Sequence, residues 1–410
     1  MELADKSWRA SLHGSSHRCR QITFRIPSYN LAKSRYFHAP NHRVFHAPNH
    51  RVFNVTLSFL FVAFGLVLLV LGADSLVSGA SRIAQRFSIP PVIIGLTIVA
   101  IGTSMPEITV STTAALGGNT DLALGNVVGS NIFNVLLILG IAAVILPLSV
   151  QVSLIREEVP VMVGLSLLLL VLILDGSLST LEAGLLLALG VAYVLLLLVQ
   201  ARRAVRAGQN VAVELPDNSN WLARVPAVLL ITLGLIGLVG GAQLLVKGAT
   251  AIALSLGISE LVVGLTVVAI GTSLPEVAAS VAAALRGQRD MAIGNVVGSC
   301  IFNIALCLGI AGLVAPSGLN APVQLITFDV RVMVVAAIVL MPLIITDYTV
   351  SRTEGVLLLS WCAVYLAWTV LAATASPLLT PFSQLVIFGL LPASIVFIAA
   401  TVFIALRDPH

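Results

Sequence analysis

Apolar runs of about twenty residues recur along nearly the whole chain. From Asn54 onward, Gly, Pro or charged residues separate eleven of these stretches from one another. A helix that crosses the hydrocarbon core of a bilayer needs about 17–25 predominantly apolar residues, and these stretches fall in that range. The predicted spans cover residues 54–78, 91–117, 121–146, 159–175, 179–200, 223–247, 260–285, 290–315, 328–346, 354–373 and 384–406. The pattern therefore predicts an all-α polytopic membrane protein.

The composition is that of a membrane protein rather than a soluble enzyme. Of the 410 residues, 58% are hydrophobic and only 10% are charged, whereas soluble domains carry about 25% charged residues. Neither the HExxH nor the GxSxG motif of hydrolytic enzymes occurs. We therefore expect no enzymatic activity and no bound cofactor.

The formal net charge of +4 comes from the N-terminal tail. Up to Phe53 the chain carries nine Lys and Arg residues against Glu2 and Asp5, and the octapeptide FHAPNHRV occurs twice in succession. The segment is either a basic arm for anionic lipid or nucleic acid or a disordered extension that includes translated upstream sequence. We favour the second interpretation and expect no nucleic-acid partner.

The distribution of positive charge among the loops indicates how the chain is oriented. If the residues before the first span lie outside, only Lys247 and Arg331 fall on the outer side. The inner side collects Arg82, Arg86, Arg156, Arg202, Arg203, Arg206, Arg224, Arg286, Arg289, Arg352 and Arg407. Because Lys and Arg are enriched in cytoplasmic loops, we expect a multi-pass protein of the cell (inner or plasma) membrane with residues 201–222 in the cytoplasm.

A long internal repeat divides the chain into two related halves. Residues 95–134 and 264–303 align at a constant offset of 169 without a gap, and 27 of the 40 positions are identical. Each copy lies in a unit of five predicted spans, so the second unit must enter the membrane from the opposite side. Inverted repeats of this kind are typical of alternating-access transporters. A duplication kept for packing alone would not conserve so many Gly, Thr, Ser, Pro, Glu and Asn residues.

The motif GTSMPE places a helix break beside an acid in the middle of a span. Pro106 lacks an N–H group and its ring clashes with the carbonyl of Gly102, so the helix must break or kink there. The hydroxyls of Thr103 and Ser104 precede the break and the carboxylate of Glu107 follows it. Such oxygen ligands suit Ca²⁺ and Na⁺. The second copy repeats the set with Thr272, Ser273, Pro275 and Glu276.

The second motif, GNVVGSxIFN, adds a stripe of polar side chains along the next helix. Asn126, Ser130 and Asn134 are spaced by four residues and share one helix face. Gly125 and Gly129 have the same spacing, which permits close helix approach. The second copy supplies Asn295, Ser299 and Asn303.

An acid inside a membrane is costly and is usually functional. A structural role for Glu107 and Glu276, as a buried ion pair or a protonated hydrogen-bonding group, would need a suitable partner at the same depth. Lys247 and Arg331 lie near the ends of spans, and the other Arg residues after the tail lie in loops or at a terminus. The compensating charge is therefore expected to come from solution, as metal ions or protons.

The sequences GTSMPE and GTSLPE, together with GNVVGSNIFN and GNVVGSCIFN, resemble the repeated motif regions of the calcium/cation antiporter superfamily. The resemblance is strongest to its bacterial and archaeal sodium/calcium exchanger-like members and covers residues 54–373. It implies two inverted five-helix repeats that form a ten-helix core. The span 384–406 is then an additional eleventh helix.

The resemblance also implies which residues bind cations. Glu107 and Glu276 would be the principal Ca²⁺ ligands. The surrounding Na⁺ and Ca²⁺ ligands would be Thr103, Thr272, Ser104, Ser273, Ser130, Ser299 and the backbone carbonyls of Ala100 and Ala269. Asn134 and Asn303 match the position that closes the site, where potassium-dependent relatives carry Asp, so Asn303 argues against K⁺ dependence.

The predicted organisation has five parts. These are an N-terminal extension (1–53), a first exchanger repeat (54–200), a cytoplasmic linker (201–222), a second repeat (223–373) and a C-terminal segment with the extra helix (374–410). Because the linker is short, we expect no separate calcium-sensing domain.

The sequence thus predicts an antiporter that exchanges Ca²⁺ for Na⁺, with inorganic cations as substrates and the lipid bilayer as its surroundings. The alternative is H⁺/Ca²⁺ exchange through the same glutamates. An intramembrane protease, a channel or a receptor fits the motifs and the inverted repeat less well.

Overall fold

The computed structural model describes residues 55–206, 225–345 and 348–407, which all belong to one compact unit. The predicted N-terminal extension lies outside the described residues, as does most of the predicted linker. The helix before the linker continues to Arg206, beyond the predicted end of its span at residue 200. The division into five parts remains a prediction.

Each of the eleven predicted apolar stretches is helical where the structure describes it. The helices are α1 (Val55–Phe87), α2 (Pro91–Thr103), α3 (Met105–Leu116), α4 (Thr120–Ile145), α5 (154–172), α6 (Thr180–Arg206), α7 (Ala227–Ser255), α8 (260–272), α9 (Leu274–Leu285), α10 (Arg289–Val314), α11 (Leu325–Ile344), α12 (Arg352–Ala373) and α13 (379–407). The protein is therefore an all-α polytopic membrane protein, as predicted.

Not every predicted span is a single long helix. Within the described residues, eight helices are long and apolar enough to cross a membrane, or nine if α2 and α3 count as one bent span. The other two predicted spans are α5, whose first turn carries Arg156, Glu157 and Glu158, and the pair α8–α9, which is broken at Ser273. The charged first turn of α5 and the break between α8 and α9 explain why these two spans are not long, uncharged apolar helices.

Two short antiparallel strand pairs group the loops onto two faces. Strand β1 (Leu148–Ser149) pairs with β4 (Thr349–Val350), and β2 (Ser177–Leu178) pairs with β3 (Leu319–Asn320). We name the face that carries β1, β4 and the ends of α6 and α7 the linker face, and the other the opposite face. Side-chain contacts also join the start of α5 to the end of α6 and to the start of α10 on the linker face.

The two repeats run through the fold in opposite directions. Helix α4 begins at the opposite face, where Asn320 donates a hydrogen bond to Asp121 over 3.0 Å, and ends just before β1. The equivalent helix α10 begins at the linker face, where Gln151 donates to Asp290 over 2.7 Å, and ends just before β3. This is the inverted arrangement that five spans per repeat predict.

The core is built around the two helices that carry the second motif. In the most apolar 18 residues of each helix, 72% are buried in α4 and 83% in α10, compared with 6% in α13. Helices α1 and α7 cross at backbone contact, because a Cβ added at Gly72 or Gly234 would lie within 2.8 Å of the other helix's backbone. The fold therefore places the repeated motifs centrally and the eleventh helix at the periphery.

Both GTSxPE motifs break their helices as predicted. Ser104 separates α2 from α3 with φ −78° and ψ 1°, and the two helices are bent by 42°. Ser273 separates α8 from α9 with φ −86° and ψ 2°. In both copies Pro occupies the second position of the new helix, where its missing N–H group costs nothing.

The close helix approach predicted at Gly125 and Gly129 is not found in the described residues, whereas the equivalent glycines of the second copy do make such an approach. Among the described residues, a Cβ at Gly125 or Gly129 would have no neighbour within 4 Å. A Cβ at Gly294 would lie 2.7 Å from the Val92 carbonyl, and one at Gly298 would lie 2.8 Å from the Cβ of Ala100. The same motif thus packs tightly against α2 in one copy and is open in the other.

Candidate cation site

The two acids predicted to bind cations occupy equivalent buried positions. Glu107 lies in the first turn of α3 and Glu276 in the first turn of α9, and their exposed fractions are 0% and 1%. The N-terminal end of a helix carries a partial positive charge that stabilises a carboxylate. The helix breaks therefore both expose backbone groups and create a favourable place for each acid.

The structure brings predicted ligands together within and between the repeats. The Ser130 hydroxyl donates a hydrogen bond to Oε1 of Glu107 over 3.4 Å, so α4 contacts the acid of its own repeat. The Ser104 hydroxyl donates to Oε1 of Glu276 over 3.3 Å. Because that bond crosses between repeats, the two acids belong to one shared site.

Several buried polar atoms at this site have no hydrogen-bond partner in the described part of the protein. A buried unsatisfied polar group costs about 1–3 kcal/mol, so a cluster of them indicates that something else satisfies these atoms. Eight of the twelve such atoms belong to residues that the sequence predicts as ligands. They are Oε2 of Glu107, Oε2 of Glu276, the hydroxyls of Ser273 and Ser299, and both amide atoms of Asn134 and of Asn303.

The remaining predicted ligands lie next to the helix breaks. The Thr103 hydroxyl donates to Oδ1 of Asn295 over 3.2 Å. The Ala100 carbonyl accepts the N–H of Ser104 over 3.0 Å and lies 3.4 Å from the Thr103 hydroxyl. In the second copy, Ala269 and Thr272 are the first and last residues of the short helical segment before the break.

The charge of the two acids is not balanced by basic side chains. Among the described residues, neither Glu107 nor Glu276 has a Lys, Arg or His within ion-pair distance; the ion pair present joins Arg286 to Asp74. No group of three or more His, Cys, Asp and Glu side chains gathers in the described residues either. Two carboxylates surrounded by neutral oxygens form a donor set for hard cations rather than for zinc.

Sequence reasoning missed two serines that support this site. Asn126 donates to the Ser111 hydroxyl over 3.0 Å, and Asn295 donates to the Ser280 hydroxyl over 2.8 Å. Ser111 and Ser280 are identical residues at the 169-residue offset, which was the available signal. A third unforeseen contact is the Cys307 thiol, 3.3 Å from the Glu107 carbonyl.

Helical turns of the π type begin at the asparagines of the site. They cover Asn134–Ile138 in the first repeat and Asn303–Cys307 in the second. Single π turns inside α-helices are frequent at functional sites. The sequence carries no pattern from which these turns could be predicted.

A cavity of about 380 Å³ lies beside the site, between α3 and α7. Met105, Pro106 and Thr109 of α3 line one wall, and Gln243 and Lys247 of α7 line another. Thr272, beside the second helix break, also lines the cavity. The cavity therefore borders both broken helices.

The equivalent positions between α1 and α9 are filled by packed side chains. The counterparts of the cavity residues at the 169-residue offset include Ala279 of α9 with Val77 and Ser78 of α1, and all three are 0% exposed. Arg286, at the end of α9, donates to Ser78 and forms an ion pair with Asp74. The two repeats thus differ in conformation although their motifs are nearly identical.

These features are those of a multi-pass membrane protein with a candidate cation site between inverted repeats. The sequence profile of the family described as sodium/calcium exchanger protein matches residues 57–199 and 226–371. The chain belongs to this family, whose members are transporters and not enzymes.

Individual relatives match over most of their length. CaxA of Alkalimonas amylolytica is 41% identical over 305 residues, which are 73% of this chain and 94% of that protein. The sodium/calcium exchanger MaX1 of Methanosarcina acetivorans is 34% identical over an alignment that includes 76% of this chain and 98% of MaX1. A solved structure of the sodium-calcium exchanger NCX_Mj superposes on this chain with a TM-score of 0.64 at 35% sequence identity. The superposition includes 76% of this chain and 98% of that structure. The fold is therefore that of a sodium-calcium exchanger.

Proposed function

We propose that this protein exchanges Ca²⁺ for Na⁺ across the membrane at the site shared by Glu107 and Glu276. The observation that carries the proposal is the set of buried oxygens around these acids that have no partner in the described residues. The family to which the chain belongs and the names of MaX1 and NCX_Mj support the same pair of ions.

The charge of the site explains why exchange is the natural reaction. Two ionised carboxylates balance one Ca²⁺, and in the absence of a basic partner their charge would be unpaired once the ion leaves. An unpaired buried charge costs several kcal/mol. Entry of Na⁺ removes that cost, so the binding of one ion permits the release of the other.

The difference between the two repeats supports alternating access. A cavity lies beside the site between α3 and α7, whereas the equivalent positions of α1 and α9 are packed together and joined by the Arg286 ion pair. Because the repeats are inverted, exchanging their conformations would place the cavity between α1 and α9 instead. We further propose that the linker face is cytoplasmic, on the basis of the Arg residues that its loops carry.

Ion gradients imposed across proteoliposomes would test this function. Purified protein is reconstituted, and uptake of radiolabelled Ca²⁺ is measured with an outward gradient of Na⁺, of K⁺ or of H⁺ in separate experiments. We expect the Na⁺ gradient alone to drive accumulation above the level of protein-free vesicles. Uptake that follows only the pH gradient would contradict Na⁺ coupling and identify an H⁺/Ca²⁺ exchanger.

A further inference from the structure

The asparagines of the second motif hold the acid-bearing helices in place. Asn126 donates to the Ser111 hydroxyl over 3.0 Å and to the Glu107 carbonyl over 3.5 Å. Asn295 donates to the Ser280 hydroxyl over 2.8 Å and to the Glu276 carbonyl over 3.4 Å. Each amide therefore ties the first turn after a helix break to the neighbouring helix.

Asn295 makes one further contact, which crosses between the repeats. Its Oδ1 atom accepts the hydroxyl proton of Thr103 over 3.2 Å, and both side chains are buried. Gly294 and Gly298 allow this approach, because a Cβ at either position would overlap α2. Asn126 donates its hydrogen bonds to Ser111 and to the Glu107 carbonyl of its own repeat.

The direction of the Thr103 proton follows from the Glu276 backbone. A carbonyl can only accept a hydrogen bond, so the NH₂ group of Asn295 must face the Glu276 carbonyl. The amide oxygen must then face Thr103, and Thr103 must be the donor. With its single proton committed to Asn295, the Thr103 oxygen keeps its lone pairs for a cation.

Without this acceptor, the Thr103 proton would turn toward other ligands of the site. The Ala100 carbonyl lies 3.4 Å from the same hydroxyl, and the Glu276 carboxylate lies beside it. A bond to either would occupy an oxygen that the cation needs. We propose that Asn295 is a positioning residue that keeps Thr103, Ala100 and Glu276 available as cation acceptors, an inference that rests on the proposed function.

A double-mutant cycle on the purified full-length protein tests this role. Binding of Ca²⁺ and of Na⁺ is measured by calorimetry for the unmodified protein, Asn295→Ala, Thr103→Val and the double variant. We expect each single substitution to weaken binding about tenfold, as the loss of one buried hydrogen-bonding ligand does. The double variant should be weakened by clearly less than the about hundredfold product of the two single effects, because part of the effect of Asn295 is exerted through Thr103.

Two further variants separate positioning from a general structural role. Asn126→Ala removes the equivalent clamp of the first repeat, and its effect should multiply with that of Thr103→Val. Asn295→Asp keeps an acceptor for the Thr103 proton, so Thr103→Val should weaken binding about tenfold in that background too. If Asn295→Ala does not fold, the Asn295→Asp pair still tests the proposal, because Thr103→Val without effect in that background would contradict it.

The possible results have distinct meanings. Multiplying effects of Asn295→Ala and Thr103→Val, or no effect of Thr103→Val in the Asn295→Asp background, would overturn the positioning role alone. Absence of Na⁺ and Ca²⁺ binding by the unmodified protein would contradict the proposed function as well.

Discussion

At the scale of single residues, burial and hydrogen bonding divide the polar groups of the site into two kinds. Ser104 and Ser130 each donate to a glutamate, whereas Ser273 and Ser299 have buried hydroxyls with no partner in the described residues. Since an unsatisfied buried hydroxyl destabilises the fold, the second kind is explained by ligand binding rather than by stability.

Replacing Ser273 with Ala should separate these two effects. In buffer without Na⁺ and Ca²⁺, we expect the free energy of unfolding to rise by about 1 kcal/mol, because an unsatisfied buried group is removed. The additional stabilisation by saturating Ca²⁺ should fall, because a ligand is lost. Thermal unfolding in detergent with and without Ca²⁺ measures both quantities.

Ser166→Ala provides the control for this prediction. The Ser166 hydroxyl is also buried, but it donates to the Met162 carbonyl over 2.8 Å. Its replacement should leave the stabilisation by Ca²⁺ unchanged. If Ser273→Ala lowers stability without altering the response to Ca²⁺, its hydroxyl is a structural donor and not a ligand.

Sequence reasoning finds the residue types of the site but not their pairing. An acid after a proline break in an apolar span is conspicuous, and both GTSxPE motifs occur where the helices break. The sequence cannot reveal that Ser104 contacts the acid of the other repeat whereas Ser130 contacts the acid of its own. The two copies present the same letters, and only packing decides which hydroxyl is engaged.

At the scale of helices, glycines decide how closely the two repeats approach. Gly294 and Gly125 are equivalent in sequence, yet within the described residues only Gly294 faces a backbone at contact distance, the Val92 carbonyl. Gly294→Ala should therefore destabilise the protein by about 1–3 kcal/mol through overpacking. Gly125→Ala should be neutral or stabilising by up to about 1 kcal/mol, because Ala favours helix formation.

Chemical unfolding of the two glycine variants in detergent compares these positions directly. Equal destabilisation by both substitutions would contradict the difference in packing between the two copies. The sequence could not indicate this difference, because GNVVGS is identical in the two motifs.

The ion pair between Arg286, at the end of α9, and Asp74 joins α9 to α1 near the linker face. Arg286 contacts Asp74 and Ser78 of α1, and its side chain is 23% exposed. Because partly exposed ion pairs contribute about 0.2–1 kcal/mol, Arg286→Gln should increase opening at the linker face about two- to fivefold.

Thiol labelling of introduced cysteines can detect that opening. Ala279→Cys reports on the packed positions between α1 and α9, and Val110→Cys reports on the cavity. We expect Val110→Cys to react in the otherwise unmodified protein, and Ala279→Cys to react faster only when Arg286→Gln is also present. Rapid labelling of Ala279→Cys without Arg286→Gln would contradict the packing of α9 against α1.

At the scale of the whole molecule, the repeat and the odd number of spans predict the inverted architecture. Strand pairs and polar contacts bear this out by grouping the loops onto two faces. The repeat in the sequence does not reveal the difference in conformation between the two copies. Nearly identical motifs border a cavity between α3 and α7 in one copy and packed helices α1 and α9 in the other. The peripheral helix α13 lies beyond the family match, which ends at residue 371.

The central claim is that one cation site, built from an acid of each repeat, couples Ca²⁺ to Na⁺. Uptake of radiolabelled Ca²⁺ driven by a Na⁺ gradient, measured in proteoliposomes for Glu107→Gln and Glu276→Gln, tests it most directly. Glu157→Gln, which alters an exposed acid held by Gln200 at the linker face, is the matched control and should transport like the unmodified protein. Both site variants should lose at least about a hundredfold in rate, because removing a buried charge from its ionic partner costs about 3–5 kcal/mol. Exchange at the unmodified rate in either variant, with the protein correctly folded, would contradict the shared site.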